Sequence, residues 1–152
     1  GVPGHPDANL MISRREQLIR AVMGVCATAI APTRVLRQPV VAIPREQTPA
    51  LVVSVTSDTP LRRANDRIER ELVLRLVAYV RDPTDGYVVA DDLLCKAHLA
   101  LLTESTLGGL ALSISEQETE YQIEDADLDV VAIPATYRIT YRTLVSDISQ
   151  GG

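Results

Sequence analysis

Phenylalanine and tryptophan are absent from this chain of 152 residues, and five tyrosines are its only large aromatic side chains. The core is therefore expected to be built mainly from Leu, Val, Ile and Ala. No apolar run approaches the ~20 residues that a membrane-spanning helix needs, and no secretory signal is visible. The two cysteines, Cys26 and Cys95, lie in apolar helical patterns, which argues against a disulfide framework and fits a reducing compartment. The length suits a single domain.

Histidine is also scarce, and this limits the chemistry that the chain can be predicted to perform. His98 is the only histidine beyond the first ten residues, and Cys95 precedes it by three positions. A zinc site needs about four ligands, so this pair does not predict a metal site. No Gly-x-Ser-x-Gly motif accompanies His98, and Gly108-Gly109 lacks the Lys-Ser/Thr of a phosphate-binding loop. The sequence therefore predicts no catalytic residue, metal or cofactor, and we do not expect an enzyme.

Acidic residues are unevenly distributed, although the net charge is only −5. Seven acids fall within 14 residues that contain no base: Glu116, Glu118, Glu120, Glu124, Asp125, Asp127 and Asp129. Such a run is most often a solvated face. It has no apolar neighbours that would raise a carboxyl pKa, so it gives little support to acid–base catalysis.

The basic residues are almost all arginine, with Lys96 as the single lysine. Arginine is favoured where planar, two-pronged ion pairs form, which is common at protein interfaces. One local group mixes arginines with acids and is our candidate for a subunit interface: Arg62, Arg63, Arg67, Arg70, Glu69 and Glu71. A pI near 5.0 argues against nucleic-acid binding, whereas a mixed-sign face suits self-association.

The strongest structural signal is the alternation of apolar and charged residues from Asp66 to Arg81. The apolar side begins with Ile68, Leu72 and Leu74, and from Ile68 onwards Arg70 is its only charged residue. This period of two predicts one strand of roughly 50 Å, far longer than the usual ~5–6 residues. Because a small domain cannot cover such a strand alone, we expect part of it to reach a partner.

The remaining patterns predict an α+β fold in the order α-β-β-β-α-β-β, with a mostly antiparallel, mixed sheet and both helices on one face. The predicted helices span residues 13–30 and 89–104. The other predicted strands span residues 35–43, 51–55, 115–124 and 132–145, and a polar connection at 57–65 could be the tip of a protruding hairpin. Residues 1–10 are expected to be an expression scar or disordered tail, 11–147 a single domain, and 148–152 a flexible tail.

Three segments of the chain carry a resemblance to a known family. The strongest is the last strand, residues 135–141, ATYRITY, after an acidic segment. The second is residues 49–55, PALVVSV, with the polar loop that follows. The third is the strand at 71–76, ELVLRL, followed by a proline-containing turn and the Asp91-Asp92-Leu93 helix. With these segments the chain resembles the tail terminator proteins of long-tailed bacteriophages, the lambda-like minor tail protein family, over nearly its whole length after residue 11.

This resemblance implies a homohexameric ring at the neck end of the phage tail, assembled in the host cytoplasm. Such a ring stops polymerisation of the tail tube, binds the tube protein, and presents a surface to a head completion or connector protein. DNA passes through it without specific binding, and no membrane is involved. The long strand and its preceding loop would supply subunit or tube contacts. The acidic segment would line the channel or face the docking partner. Another neck or head–tail joining component, or less readily a small cytoplasmic enzyme, is the alternative.

Overall fold

The computed structural model describes residues 10–38, 47–119 and 130–152. Within these ranges the chain folds into two helices and five strands. In chain order these are α1 (Arg14–Ile30), β1 (Arg34–Arg37), β2 (Ala50–Ala64), β3 (Arg67–Arg81), α2 (Gly86–Thr103), β4 (Ser113–Gln117) and β5 (Val130–Leu144). The predicted α+β class and element order are confirmed. The acidic residues from Glu120 to Asp129 lie outside the described residues.

The strands form one sheet with the spatial order β1-β2-β3-β5-β4. β1 runs parallel to β2, and the other three pairings are antiparallel, so the sheet is mixed. β3 and β5 pair over 15 residues each, from Arg67↔Leu144 to Arg81↔Val130. The long strand predicted from alternation is therefore confirmed, and it forms the centre of the sheet.

One face of the sheet packs against both helices and forms a single core. The apolar side of β3 meets the matching side of β5, where Leu72 pairs with Ile139 and Leu74 with Tyr137. Tyr141 is 1% exposed and is among the largest fully buried side chains. In the absence of Phe and Trp, these two tyrosines supply the large rings of the core.

The start of each helix follows from local side-chain contacts. The hydroxyl of Ser13 accepts a 3.0 Å hydrogen bond from the Glu16 N–H, as expected at the N-terminus of α1. α2 begins at Gly86, three residues before the predicted start. The carboxylate of Asp82 accepts hydrogen bonds from the N–H groups of Thr84 and Asp85. These bonds form a turn that leads directly into the helix. A Cβ atom at Gly86 would lie 2.8 Å from the Val131 side chain, so any larger residue here would have to displace that side chain.

The main correction concerns residues 57–64, which were predicted as a polar connection with a hairpin tip as the alternative; they belong to β2 and form the end of the β2–β3 hairpin. The register shifts at Thr56 and again at Leu61, and each shift inserts one extra residue opposite β3. Pro60 lies between the two shifts. Pairing with β3 holds this polar, proline-containing segment in a strand that its own composition disfavours.

Smaller differences occur at strand ends. β1 is the predicted edge strand, but it is described only from Arg34 to Arg37. β4 begins two residues before its predicted start and ends at Gln117. Two residues of the predicted C-terminal tail make backbone contacts with the domain. The carbonyl of Ile148 accepts a 2.7 Å hydrogen bond from the Arg14 N–H, and Gly151 forms an isolated β-bridge with Thr143. Whether this end is flexible stays a prediction.

Candidate assembly surfaces

The end of the β2–β3 hairpin forms an exposed part of the sheet beside β5, which we call the arm and define as residues 57–67. Every residue of the arm except Asp58 is exposed. Its turn is Asn65-Asp66, between the paired residues Ala64 and Arg67. Asn65 adopts φ 58°, a left-handed conformation that asparagine tolerates better than most residues.

The base of the arm is fixed by the side chain of Asp58, which is only 10% exposed. Its Oδ2 atom accepts a 2.9 Å hydrogen bond from Nη1 of Arg15 on α1. The same oxygen accepts a 2.7 Å hydrogen bond from the hydroxyl of Tyr141 on β5. One carboxylate therefore ties the arm to both layers of the domain.

The free end of the arm is basic and partly apolar. Arg62 has no hydrogen-bond or ion-pair partner within the described part of the chain. Nε of Arg63 donates to the Asn65 carbonyl at 2.9 Å, and Arg67 lies 3.2 Å from the carboxylate of Asp66. Leu61 is 52% exposed beside these charges. The arm thus presents a guanidinium and a leucine side chain that its own subunit leaves largely uncovered.

The other predicted interface residues make contacts within the subunit. On the outer face of the sheet, Glu71 pairs with Arg138 at 3.0 Å and Glu69 with Arg142 at 3.8 Å. Arg70 lies on the core side, where its Nε donates a 3.1 Å hydrogen bond to the hydroxyl of Thr143. The structure therefore does not place the six residues on one free surface, because their side chains alternate across the sheet.

Two of the predicted acids, Glu116 and Glu118, are described, and both are exposed at the sheet edge opposite the arm. They border an open cavity of about 670 Å³ between α2 and the ends of β4 and β5. Oε1 of Gln117 is buried and has no hydrogen-bond partner among the described residues. The wall of the cavity is therefore rich in oxygen acceptors.

Cys95 and His98 line the same cavity. Nδ1 of His98 lies 2.8 Å from the Tyr137 hydroxyl. Burial, helped by the charge of Glu116, raises the pKa of Tyr137 to about 12, so the phenol keeps its proton at neutral pH. The tautomer of His98 decides which of the two groups donates. Within the described ranges, no cluster of three or more His, Cys, Asp or Glu side chains could hold a metal ion.

An apolar groove of about 820 Å³ lies between the outer faces of α1 and α2. Val25, Ala29 and Ala100 contribute to its wall, and Leu99 is 70% exposed beside them. We did not predict this groove from the sequence. Leu99 is an apolar residue outside the buried stripe of α2. This position is the one sequence signal that could have indicated an apolar outer surface.

Comparisons with protein-family models and with curated proteins found no match for this chain. None of the described helices is both long enough and apolar enough to cross a membrane.

Proposed function

We propose that this protein is a phage tail terminator, a subunit that closes into a ring on the end of the tail tube and stops its growth. The observation that carries the proposal is the arm, a rigidly based hairpin whose residues are almost all exposed. β3 pairs with β5 along the whole length of the arm, so the strand of the arm that lacks a second neighbour in the described ranges is β2. A neighbouring molecule that covers the arm would supply the missing contacts.

The edges of the sheet also favour assembly. β1 pairs with β2 only from Ala50 to Val53, and in the described ranges no strand pairs with the outer edge of β2 beyond that point. Free backbone N–H and C=O groups along such an edge are a template for another strand. An arm with an open edge, exposed arginines and an exposed leucine is suited to a specific contact between proteins.

The charge of the chain fits a channel for DNA better than a DNA-binding surface. A net charge of −5 repels phosphates, so a ring of such subunits would let DNA slide through without holding it. The six-subunit ring and its contacts with a tube protein and a head connector are the parts of the proposal that rest on the family resemblance.

The direct test is a tube-growth assay with the tail-tube protein of the same phage. Added terminator is expected to shorten the tubes in proportion to its concentration and to appear as a ring at one end in electron micrographs. The matched control is Arg62→Glu/Arg63→Glu, which should remain folded and lose this effect. Unchanged tube lengths with no density at the ends would overturn the proposal. Binding to filled heads alone would favour a head–tail joining component instead.

A further inference from the structure

We propose that the arm of one subunit lies along β4 of a second copy of this chain, with Arg63 against Glu116 and Glu118 on the helix side of the sheet. Arg62 lies on the opposite face, level with Glu69. The proposal rests on the ring-forming function above and names the contact that closes the ring. It assigns these acids to the subunit interface rather than to the channel or a head partner.

The first argument is the position of the two surfaces on the sheet. Beyond Val53, β2 is the outermost described strand on one side, and β4 is outermost on the other. A contact between opposite edges of identical subunits repeats head to tail, which is the kind of interface that generates rings. β2 and β4 run in opposite directions, because each of the three intervening pairings is antiparallel. Neighbouring subunits in the same orientation would thus meet through an antiparallel pair.

The second argument is charge. Within the described chain, Arg62 has no partner, and the guanidinium of Arg63 bonds only to the backbone carbonyl of Asn65. Glu116 and Glu118 are exposed and likewise have no ion-pair partner among the described residues. Arginine and carboxylate form directional, charge-assisted pairs that strengthen when water is excluded. The two surfaces are therefore complementary in charge.

The third argument is the cavity beside the acids. Its volume of about 670 Å³ is ample for an arginine side chain. The unpartnered Oε1 of Gln117 is an acceptor, and a guanidinium brings five N–H donors. The cavity therefore has room for an arginine side chain beside the two acids.

The test uses two charge-reversed variants and their mixture. Arg62→Glu/Arg63→Glu alters the arm, and Glu116→Lys/Glu118→Lys alters the acidic edge. Each alone is expected to stay monomeric at concentrations where the parent assembles, because every contact would then pair like charges. An equimolar mixture should restore rings with equal numbers of the two variants, measured by native mass spectrometry. The control Asp85→Lys/Glu104→Lys makes the same charge change at exposed acids elsewhere and should assemble like the parent.

The outcomes separate this inference from the proposed function. If both variants form rings as readily as the parent, the contact is wrong, while ring formation stands. If each variant fails and the mixture also fails, although both have the parent's circular dichroism and unfolding transition, the two surfaces do not meet. If the parent itself never assembles, even on tube ends, the proposed function fails with it.

Discussion

The hydroxyl group of Tyr141 donates a 2.7 Å hydrogen bond to Oδ2 of Asp58, a residue 83 positions earlier in the chain. Burial and this bond to the carboxylate raise the pKa of Tyr141 above its usual range, so the phenol remains a donor at neutral pH. The bond crosses from β5 to the base of the arm. It thereby connects the stability of the core to the position of the surface that we propose for assembly.

Tyr141→Phe should lower the free energy of unfolding by about 1.5–3 kcal/mol, the usual range for a hydrogen bond to a charged group. The ring remains in place, so no cavity contributes to the loss. Urea denaturation would measure the change. Tyr87→Phe is the matched control, because Tyr87 is 61% exposed. Equal free energies of unfolding for the two variants would show that the Asp58 contact contributes nothing.

Arg70→Glu should destabilise the fold, whereas Arg62→Glu should not. Arg70 donates to the hydroxyl of Thr143, which is 1% exposed, and its charge acts on neighbouring Tyr141. A glutamate there would leave this hydroxyl without its donor and place a second negative charge in the region of Asp58. We expect a loss of about 1–3 kcal/mol by urea denaturation. A parental transition for Arg70→Glu would place this side chain outside the core face.

Arg67 and Arg70 were the obvious second pair for a test of assembly on sequence grounds. The structure makes that pair unsuitable, because an Arg70 variant that failed to assemble could have lost either its fold or its subunit contact. Arg62 and Arg63 are exposed and do not carry this ambiguity.

Ile139→Asp should abolish folding at ordinary temperature. Ile139 is 1% exposed and lies between Leu72 and Ile114 in the strand register, so an unpaired carboxylate would enter the centre of the core. Circular dichroism and solubility would report the loss. Ser115→Asp places the same side chain at an exposed position of β4 and should fold. A folded Ile139→Asp protein would contradict the assigned face of β5.

The two cysteines should react with Ellman's reagent at very different rates. Burial raises the pKa of the Cys26 thiol to about 12, which keeps it protonated and inert, whereas Cys95 is exposed. In the Arg62→Glu/Arg63→Glu variant, expected to be monomeric, we predict one fast thiol per chain at about pH 8. A second thiol should react only in concentrated guanidinium chloride. Adding Cys95→Ser should remove the fast phase, and two equally fast thiols would contradict the buried position of Cys26.

Much of the fold could be predicted because each long element carries a clear period. The alternation in β3 identified its buried face, and the helix predicted at 13–30 matches α1. The extension of β2 through Pro60 was missed, because its strand state comes from pairing with β3 and not from its own composition. A single sequence does not reveal such a dependence on another strand.

The candidate surfaces were predictable only in part. The arginines of the arm and the acids near Glu116 were visible as charge patterns. Their places at opposite edges of the sheet depend on the order β2-β3-β5-β4, which local patterns do not encode. The contact of Asp58 with Arg15 and Tyr141 joins residues from distant parts of the chain, and no local spacing indicates it.

The most direct test of the central claim is the mass of the purified protein in solution, measured by light scattering from low micromolar concentration to the solubility limit and at several salt concentrations. A ring-forming terminator predicts a closed species of six times the 16.5 kDa chain mass, weakened by salt if the arm contact is ionic. A single-chain mass under every condition, unchanged when tail-tube ends are added, would contradict the account.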